Sequence, residues 1–257
     1  MATVLKLRPV RDQVSPEEWS IRQDLAAAYR AVAYFGWDDL SFTHLSARVP
    51  GPEFAFLLNP FDLGFDEITA SSFIKLDADG RSMIDTGGSQ NQAGFTIHSA
   101  LQMGREDARC VIHLHTIAGT AVSMMKCGLL PVSQAAGSVA FDLAYHDYEG
   151  IAVDLDERAR LIQHMGANNH MILRNHGTLT VGATIDEAFM RMYFLERACE
   201  MQVAAMAGGI DNLLAPEEAA ARQPHDVGLK MGAWVANSIA WPVIRRKMER
   251  LDPGFLD

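Results

Sequence analysis

Cys110-Val-Ile-His-Leu-His115 is the stretch of sequence that decides the fold. Histidines alternate with apolar residues along it, and a short alternating run of this kind predicts a β-strand. Because successive side chains of a strand point to opposite faces of a sheet, His113 and His115 share one face. The apolar run 170–174 predicts a second strand, and His176 follows it, where a turn can aim its side chain into a cleft.

Predicted helices and strands alternate on both sides of this stretch. Ser15-Pro16-Glu17-Glu18 is a helix start, with Ser as N-cap and Pro at the first helical position, and Gly36 ends that helix. Thr184-Ile-Asp-Glu187 is a capping box that opens a long helix. Apolar spacing and turn residues predict strands over 54–58, 74–76 and 178–181, and helices over 92–103 and 117–126. This alternation predicts a mixed α/β layer fold.

The composition argues against several classes of partner. The 257 residues suffice for a large domain with a substantial core, and the formal net charge is −10. The chain offers no basic stripe for phosphates, so we expect neither nucleic-acid nor membrane binding. No run approaches the roughly 18–20 apolar residues of a spanning helix, and the N-terminus lacks a signal-peptide core. Three widely separated cysteines favour free thiols in a reducing compartment, so we expect a cytoplasmic protein.

The histidines suggest a metal site. Two imidazoles on one face of a strand can chelate one cation, but a third ligand must come from elsewhere in the chain. His176, at the end of the other apolar strand, is the candidate for that ligand. A lone histidine on a strand more often has a structural role, and spacing alone does not bring His176 to the pair. The residues by themselves therefore leave both interpretations open.

Further motifs surround these histidines from about residue 18 to 213. They are Val111-Ile-His-Leu-His-Thr-Ile-Ala-Gly-Thr-Ala-Val122, Lys126-Cys-Gly-Leu-Leu-Pro131, Ala144-Tyr-His-Asp-Tyr-Glu-Gly150, Leu173-Arg-Asn-His-Gly177 and His44-Leu-Ser-Ala-Arg48. In content and order these stretches resemble the class II aldolase/adducin family. The resemblance implies a three-layer α/β/α sandwich with a central mixed sheet, usually in a homotetramer. It also implies that His113, His115 and His176 hold one divalent transition metal ion per subunit, first of all zinc, with manganese or iron as alternatives.

The resemblance weakens towards the C-terminus, and this sets the predicted domain boundary. We predict a class II aldolase/adducin-like domain over 1–213 and a helical C-terminal extension over 214–257, which packs on the same or a neighbouring subunit. The extension contains a dense basic cluster that begins at Arg245. Arg245 could bind the carboxylate of an acid substrate, completing a site between subunits, or pair with Glu249 or Asp252 on a solvated helix face.

The chain departs from the sugar-phosphate aldolases of the family where those enzymes bind substrate. They have a Ser-Ser-Glu sequence whose serines bind phosphate and whose Glu is the acid/base. Asn91-Gln92-Ala93-Gly94 stands in that place here and supplies neither hydroxyl nor carboxylate. Their Asn-Val-Ser segment, whose Asn contacts phosphate, corresponds to His44-Leu45-Ser46. We therefore expect a substrate without phosphate, and these positions resemble the adducin-like branch, which includes bacterial enzymes and non-enzymatic cytoskeletal adducins.

Four polar side chains near the proposed ligands have two interpretations each. His44 is a candidate catalytic acid/base or a hydrogen-bonded turn histidine. Asn91 and Gln92 could bind a substrate carboxylate or cap the following helix. His98 lies on that helix, and for it we favour a structural role over a functional one.

Two further positions combine polar groups with apolar surroundings. Tyr145 is a candidate catalytic residue that could line a pocket with His146 and Tyr148, but such an aromatic cluster could equally pack in the core. Glu196 interrupts the apolar face of a predicted helix, so we expect a partly buried carboxylate that needs a partner. We predict a structural ion pair there, and the alternative is a contact behind the metal ligands.

These features together favour a metal-dependent carbon–carbon lyase. Cleavage of this kind leaves electrons on carbon, and a cation on an adjacent oxygen stabilises them. A retro-aldol step needs a base for a hydroxyl proton, whereas decarboxylation needs only a later proton donor. The missing Glu favours decarboxylation of a small, non-phosphorylated hydroxy- or oxo-acid. The alternative is a non-catalytic, adducin-like interaction module, for which we would expect a long Lys-rich extension after the domain.

Overall fold

The computed structural model describes residues 9–84, 86–151 and 155–257. Its α-helices are α1 (Pro16–Phe35), α2 (Gln92–Gly104), α3 (Ile117–Ser123), α4 (Gln134–Val139), α5 (Glu157–Met165), α6 (Ile185–Met206), α7 (Glu218–Val235) and α8 (Trp241–Leu251). Its strands are β1 (His44–Arg48), β2 (Ala55–Leu58), β3 (Ile74–Asp77), β4 (Cys110–Leu114), β5 (Leu143–His146), β6 (His170–Leu173) and β7 (Gly177–Gly182). Short 3₁₀ turns cover Val10–Gln13, Ile210–Asn212 and Pro253–Leu256, and a π-helical turn, Ala236–Ala240, joins α7 to α8.

The strands form one sheet in the order β3-β2-β1-β4-β7-β6-β5. Neighbouring strands are antiparallel, except that β5 and β6 are parallel, so the sheet is mixed as predicted. The central strand β4 has β1 and β7 as its antiparallel neighbours. The carboxyl end of β4 therefore meets the beginnings of β1 and β7, and side chains from all three strands come together there.

Helices cover both faces of this sheet. The face that carries Ile112 packs against α1 and α6, where Leu25 and Phe189 are buried. The opposite face carries Val111 and packs against α2 and α5, through residues such as Leu101. This arrangement confirms the predicted three-layer α/β/α sandwich with a central mixed sheet.

The two predicted helix starts form as the sequence indicates. Ser15 Oγ accepts a hydrogen bond from the Glu18 N–H (3.1 Å) at the start of α1, and Thr184 Oγ1 accepts one from the Glu187 N–H (3.4 Å) at the start of α6. Gly36 ends α1 with a φ of 68°, a left-handed conformation that glycine adopts without strain. Local capping chemistry thus fixes both long helices that flank the sheet.

Some elements differ from the prediction. The sequence does not predict β1, β5, α4 or α5. In β1 the alternate residues His44 and Ser46 are polar and yet buried, so the strand lacks the polar-outside pattern of a surface strand. Helix α3 is shorter than predicted and ends at Ser123. Strand β4 ends at Leu114, which leaves His115 in the loop that follows.

The C-terminal extension packs on its own domain. Helix α7 lies against α4, and α8 lies against α1. Trp241 Nε1 donates a hydrogen bond to Asp24 Oδ1 (3.2 Å), and the Ala70 N–H donates to the carbonyl of the fully buried Phe255 (2.9 Å). Packing on the same chain, one of the two predicted arrangements, is therefore present. Within the described ranges no helix is long and apolar enough to cross a bilayer.

Candidate metal centre and active site

Three imidazole rings meet at the carboxyl end of the central strand. His113 belongs to β4, His115 follows that strand, and His176 precedes its antiparallel neighbour β7. Nε2 of His113 lies 3.0 Å from Nε2 of His115 and 3.2 Å from Nε2 of His176. Each ring offers one nitrogen to a common point, so the three predicted ligands form a single cluster, named here the three-histidine cluster.

A tight turn aims His176 at the other two rings. Asn175 has a φ of 56°, a left-handed conformation that asparagine tolerates better than most residues. The His176 N–H donates to the Leu173 carbonyl (3.1 Å), and Thr120 Oγ1 donates to the His176 carbonyl (3.3 Å). Backbone hydrogen bonds thus fix the turn on both sides of His176 and direct its side chain towards the other two rings.

Gly177→Ala is expected to push the start of β7 away from the end of β4, beside this turn. A Cβ atom on Gly177 would lie 2.3 Å from the carbonyl oxygen of Leu114 and 3.1 Å from Cδ2 of His115. The free energy of unfolding should fall by roughly 1–3 kcal/mol, as for other overpacked positions, and zinc affinity should fall with it. Urea denaturation and zinc titration measure the two effects. Gly228→Ala, in open space on α7, is the control and should not destabilise; equal stability of Gly177→Ala and wild type would contradict the contact.

The hydrogen bonds of Nδ1 determine which ring nitrogen of His113 and of His115 carries the proton. Nδ1 of His113 lies 3.0 Å from the Thr178 carbonyl, and Nδ1 of His115 lies 3.0 Å from the Asp39 carboxylate. Both partners accept hydrogen bonds, so each Nδ1 carries the proton and each Nε2 has a lone pair. Two such Nε2 atoms at 3.0 Å cannot hydrogen-bond to each other. Tetrahedral zinc, with Zn–N bonds of roughly 2.0–2.1 Å, separates its ligand nitrogens by roughly 3.3 Å, so the cluster fits this cation.

Burial keeps the imidazoles of His113 and His176 neutral near pH 7. Burial, together with the charges of His176 and His115, holds the pKa of His113 well below its usual range. Burial and the charges of His115 and His146 lower the pKa of His176 to about 4. Neutral imidazole is the form that binds a metal ion, so near pH 7 these two ligands need not release protons for binding.

His44 lies beside the cluster and faces it from β1. It is the direct cross-strand partner of His113, so the two side chains share one face of the sheet. The His44 side chain is buried, and neither ring nitrogen has a hydrogen-bond partner among the described residues. Burial, followed by the charges of His115 and His176, lowers the pKa of His44 to about 3. His44 thus lies in a strand and not in a turn, and its catalytic role stays a prediction.

The ring of His44 fills the space in front of Gly94, near the start of α2. A Cβ atom on Gly94 would lie 2.9 Å from Cδ2 of His44 and 3.0 Å from two other ring atoms. A side chain at position 94 and the His44 ring therefore exclude each other. On the far side, the ring of His98 meets that of His44 edge to face at 5.8 Å, and His98 Nδ1 lies 2.6 Å from Ser46 Oγ. This packing agrees with a structural role for His98.

Glu196 lies behind the cluster. Its carboxylate accepts hydrogen bonds from the hydroxyls of Thr116 and Thr178, the latter at 2.8 Å. Thr116 directly follows His115, and the carbonyl of Thr178 accepts the Nδ1 proton of His113. The predicted ion pair is wrong, because the partners of Glu196 in the described part of the chain are neutral hydroxyls. The observed position, behind the three-histidine cluster, corresponds to the other predicted alternative.

Glu196→Gln is expected to change how stability depends on pH. Burial raises the pKa of Glu196 from 4.5 to about 7, against the opposing effect of the two threonine hydroxyls. A carboxyl with a raised native pKa stabilises the fold below pH 4.5, and this contribution is lost as pH rises through 7. Between pH 4.5 and 7, the free energy of unfolding of wild type should fall by about 3 kcal/mol relative to that of Glu196→Gln.

Urea denaturation of both metal-free proteins at several pH values measures this difference, and the histidines, which titrate in both, cancel. Glu200→Gln, four residues along the same helix and pairing with Arg197 at the surface, is the matched control. It should show no comparable pH-dependent difference from wild type. A constant difference between Glu196→Gln and wild type across this range would contradict the raised pKa.

The segment before α2 has a capping role. Oδ1 of Asn91 accepts the N–H groups of Ala93 (2.9 Å) and Gly94 (3.3 Å), so Asn91 is the N-cap of α2. Gln92 is exposed in the first turn of the helix. One predicted alternative for Asn91, the helix cap, is therefore present, and substrate binding by Asn91 or Gln92 stays a prediction.

The tyrosines of the 144–150 motif lie in different surroundings. The hydroxyl oxygen of Tyr145 accepts the Leu129 N–H (3.0 Å), and the guanidinium of Arg174 lies 4.2 Å from its ring centroid. Tyr148 is more than half exposed, and its ring centroid lies 6.5 Å from that of His176. Tyr148 is thus the tyrosine whose ring contact with the three-histidine cluster is observed, while a catalytic role for Tyr145 stays a prediction.

Arg245 has two partners on its own chain. Its guanidinium forms ion pairs with Asp24 on α1 and with Glu249 (3.2 Å) one turn further along α8. Pairing with Glu249 is one of the two predicted alternatives. Substrate binding by Arg245 stays a prediction, and it requires a substrate carboxylate to replace one of these partners.

Sequence reasoning does not single out Asp39, which holds His115 from the loop after α1. No spacing rule links these two residues, which lie 76 positions apart, and an acidic residue in a loop is ordinary. The backbone carbonyl of Thr178 carries no sequence signal, because every residue has the same backbone carbonyl group. The register between β4 and β7 brings the Thr178 carbonyl to His113, and the loop after α1 brings Asp39 to His115.

The α/β/α sandwich and the three imidazoles that meet at the end of its central strand are the features that the resemblance to the class II aldolase/adducin family implies. The chain belongs to the family described as "Class II Aldolase and Adducin N-terminal domain", whose model matches residues 23–203. It is similar to a Caulobacter vibrioides protein named "Putative aldolase class 2 protein", with 51% identity over 249 residues, covering 96% of each chain.

Two other relatives cover most of this chain. The crystal structure of an aldolase II superfamily protein from Pseudomonas syringae matches it with a TM-score of 0.90 and 44% identity, over 97% of this chain and 100% of that one. Alpha-adducin of Mus musculus is 42% identical over 241 residues, which are 90% of this chain but 32% of the adducin. The relatives thus include both aldolase-type bacterial proteins and adducins.

Proposed function

We propose that this protein is a divalent-metal-dependent carbon–carbon lyase that acts on a small, non-phosphorylated hydroxy- or oxo-acid. The convergence of three imidazole nitrogens on one point is the observation that carries the proposal. His113, His115 and His176 would hold one cation per subunit, first of all zinc, with manganese or iron as alternatives. Such a cation, when bound, supplies Lewis acidity towards the oxygen atoms of a substrate.

His44 is the residue that we propose to move a proton. Its ring is neutral near pH 7, and both ring nitrogens are without partners in the described part of the chain. A buried, unsatisfied nitrogen costs about 1–3 kcal/mol, and a substrate that hydrogen-bonds to it removes that cost. The negative charge of an acid substrate favours the imidazolium form, which raises the pKa of His44 towards the range useful for proton transfer.

The contact between His44 and Gly94 supports a substrate without phosphate. By its resemblance to the sugar-phosphate aldolases, position 94 corresponds to their acid/base Glu, and the His44 ring leaves no room for a side chain there. The segment 91–94 also has no hydroxyl group, and the amide oxygen of Asn91 is engaged in the helix cap. These features favour decarboxylation, which needs a proton donor but no base for a hydroxyl proton, over retro-aldol cleavage.

A product-release screen tests this function. Zinc-loaded and manganese-loaded protein is incubated with a panel of hydroxy- and oxo-acids and with sugar phosphates, and carbon dioxide and aldehydes are measured. We expect turnover of at least one acid on the order of 1–10³ per second. His176→Ala, treated identically, controls for catalysis by free metal ions. Faster cleavage of a sugar phosphate would contradict the substrate class, and no release from any compound would contradict the lyase.

The second candidate is a non-catalytic interaction module, supported by the 42% identity to alpha-adducin. A scaffold gains nothing from a buried imidazole without partners, because such a group only lowers stability. His44 therefore distinguishes the candidates. In a scaffold, neither wild type nor His44→Gln should release product, whereas in a lyase wild type should turn over and His44→Gln should do so much more slowly.

We also propose that the protein forms a homotetramer in the cytoplasm, with the extension 214–257 near a neighbouring site. Exposed apolar side chains along the extension support burial against another subunit; they include Leu229, Met231 and Trp234. The exposed free thiol of Cys127 supports a reducing compartment. Sedimentation velocity tests the assembly, and a monomer at micromolar concentration would contradict it.

A further inference from the structure

Four side chains at the end of β5 and along α5 form a second cluster, named here the β5–α5 cluster. It consists of His146, Glu149, Glu157 and His164. Nε2 of His146 lies 3.3 Å from a carboxylate oxygen of Glu157 and 3.8 Å from one of Glu149. Nδ1 of His146 lies 2.8 Å from Nδ1 of His164. One imidazole is therefore held between two carboxylates on one side and a second imidazole on the other.

His146 is the buried centre of this cluster. Its side chain is 3% exposed, and its Nε2 atom has no hydrogen-bond partner among the described residues, although two carboxylates face it. Leaving a buried nitrogen unsatisfied costs about 1–3 kcal/mol, so a native structure seldom keeps one without a reason. Nε2, Glu149 and Glu157 can each give one ligand atom to a shared cation, since these atoms lie within 4.8 Å of one another.

The charges around His146 also favour a cation. Glu149 and Glu157 bring two negative charges, and Arg160 neutralises part of this through hydrogen bonds from its Nε to both carboxylate oxygens of Glu149 (2.7 and 3.0 Å). When His146 is neutral, the charges of Glu149, Glu157 and Arg160 sum to a net negative charge. A carboxylate bound to one arginine retains lone pairs for a further ligand, so Arg160 does not close the site.

His164 completes the arrangement expected around a metal-bound histidine. An imidazole that binds a metal through one nitrogen usually donates its other N–H to a neighbouring acceptor, which fixes its orientation. When Nε2 of His146 binds a cation, Nδ1 carries the proton and donates to Nδ1 of His164 at 2.8 Å. His164 lies seven residues after Glu157 on α5, so one face of that helix supplies both a ligand and the orienting group.

We propose that the β5–α5 cluster binds a second divalent transition-metal cation through Nε2 of His146 and the carboxylates of Glu149 and Glu157. One nitrogen and two carboxylate donors suit zinc, manganese or iron(II), and the two oxygens make this set harder than the all-imidazole set. The proposed lyase needs only the three-histidine cluster, and this inference goes beyond it.

Zinc stoichiometry tests the proposal. The full-length protein is stripped with a chelator and dialysed against zinc chloride, and bound zinc per chain is measured by mass spectrometry of the digested sample. We expect two zinc ions in wild type, one in Glu157→Gln, one in Glu149→Gln and one in His176→Ala. Combining Glu157→Gln with His176→Ala should leave none. Glu106→Gln, an exposed carboxylate elsewhere, is the matched control and should keep two.

The variants separate the two clusters. Glu149 lies near the surface, so Glu149→Gln tests the site even if the more buried Glu157→Gln fails to fold, which circular dichroism detects. If only the three-histidine assignment is wrong, Glu149→Gln should bind one zinc ion fewer than wild type, whereas His176→Ala should bind as many as wild type. If Glu149→Gln and folded Glu157→Gln bind as much zinc as wild type, with unchanged affinity, the second site does not exist.

Discussion

His176→Ala is expected to reduce kcat/KM by on the order of 10³ and to remove one zinc ion per chain. The ring supplies one of the three nitrogens that meet at the end of β4, and its removal leaves two ligands for the cation. A bound cation contributes several kcal/mol of charge stabilisation, and each 1.36 kcal/mol corresponds to a tenfold change in rate. Zinc analysis and steady-state kinetics with the acid found in the screen measure both effects.

The fold should survive this change. His176 is partly exposed in a turn, and the hydrogen bonds that close the turn come from its backbone, not from its ring. His225→Ala, a partly exposed histidine on α7 whose ring lies 6.3 Å from that of Phe141, is the matched control and should keep zinc and activity. Full activity of folded His176→Ala with undiminished zinc would show that the three-histidine cluster is not the metal centre.

His44→Gln is expected to reduce kcat by roughly 10²–10⁴ while the zinc content stays unchanged. Positioned acid/base groups contribute a factor of this size, and the amide of glutamine is neither a general acid nor a general base near neutral pH. Glutamine fits the volume between Gly94 and His98 without a new charge, so the packing beside α2 should be retained. The separation of activity from metal content distinguishes a proton-transfer residue from a metal ligand.

Two controls accompany this variant. His225→Gln makes the same exchange at a histidine that belongs to neither cluster and whose ring lies beside Phe141 of the same chain, and it should leave kcat unchanged. The zinc dissociation constant of His44→Gln should stay within a factor of a few of wild type, because His44 is not one of the three converging rings. A kcat equal to that of wild type would exclude His44 from proton transfer.

The fold was largely predictable because its signals are local. The Ser15 and Thr184 caps, the alternation through His113 and the apolar run before His176 each follow from residues close together in sequence. Strand β1 escaped prediction because His44 and Ser46, which alternate along it, are buried although they are polar. Where a buried face of a strand is polar, the hydrophobic pattern that identifies strands is weakest.

The site was predictable only in part, because its remaining contacts join distant segments. The spacing of His113 and His115 is local, but the position of His44 depends on the pairing of β1 with β4, and its contact with Gly94 depends on how α2 packs. The partners of Glu196 were predicted to be charged, yet the surrounding layers supply two hydroxyls, and burial then raises its pKa to about 7. The contacts of His44 and Glu196 depend on strand register and on packing between the layers, which local sequence patterns do not specify.

A crystal structure of the zinc-loaded protein, with anomalous diffraction at the zinc edge, tests the central claim most directly. We predict an anomalous peak at the end of β4, with Nε2 of His113, His115 and His176 each within roughly 2.0–2.3 Å of the ion. A zinc ion bound elsewhere while this position shows no anomalous signal, or ring nitrogens well beyond that distance, would contradict the metal centre and the lyase proposed for it.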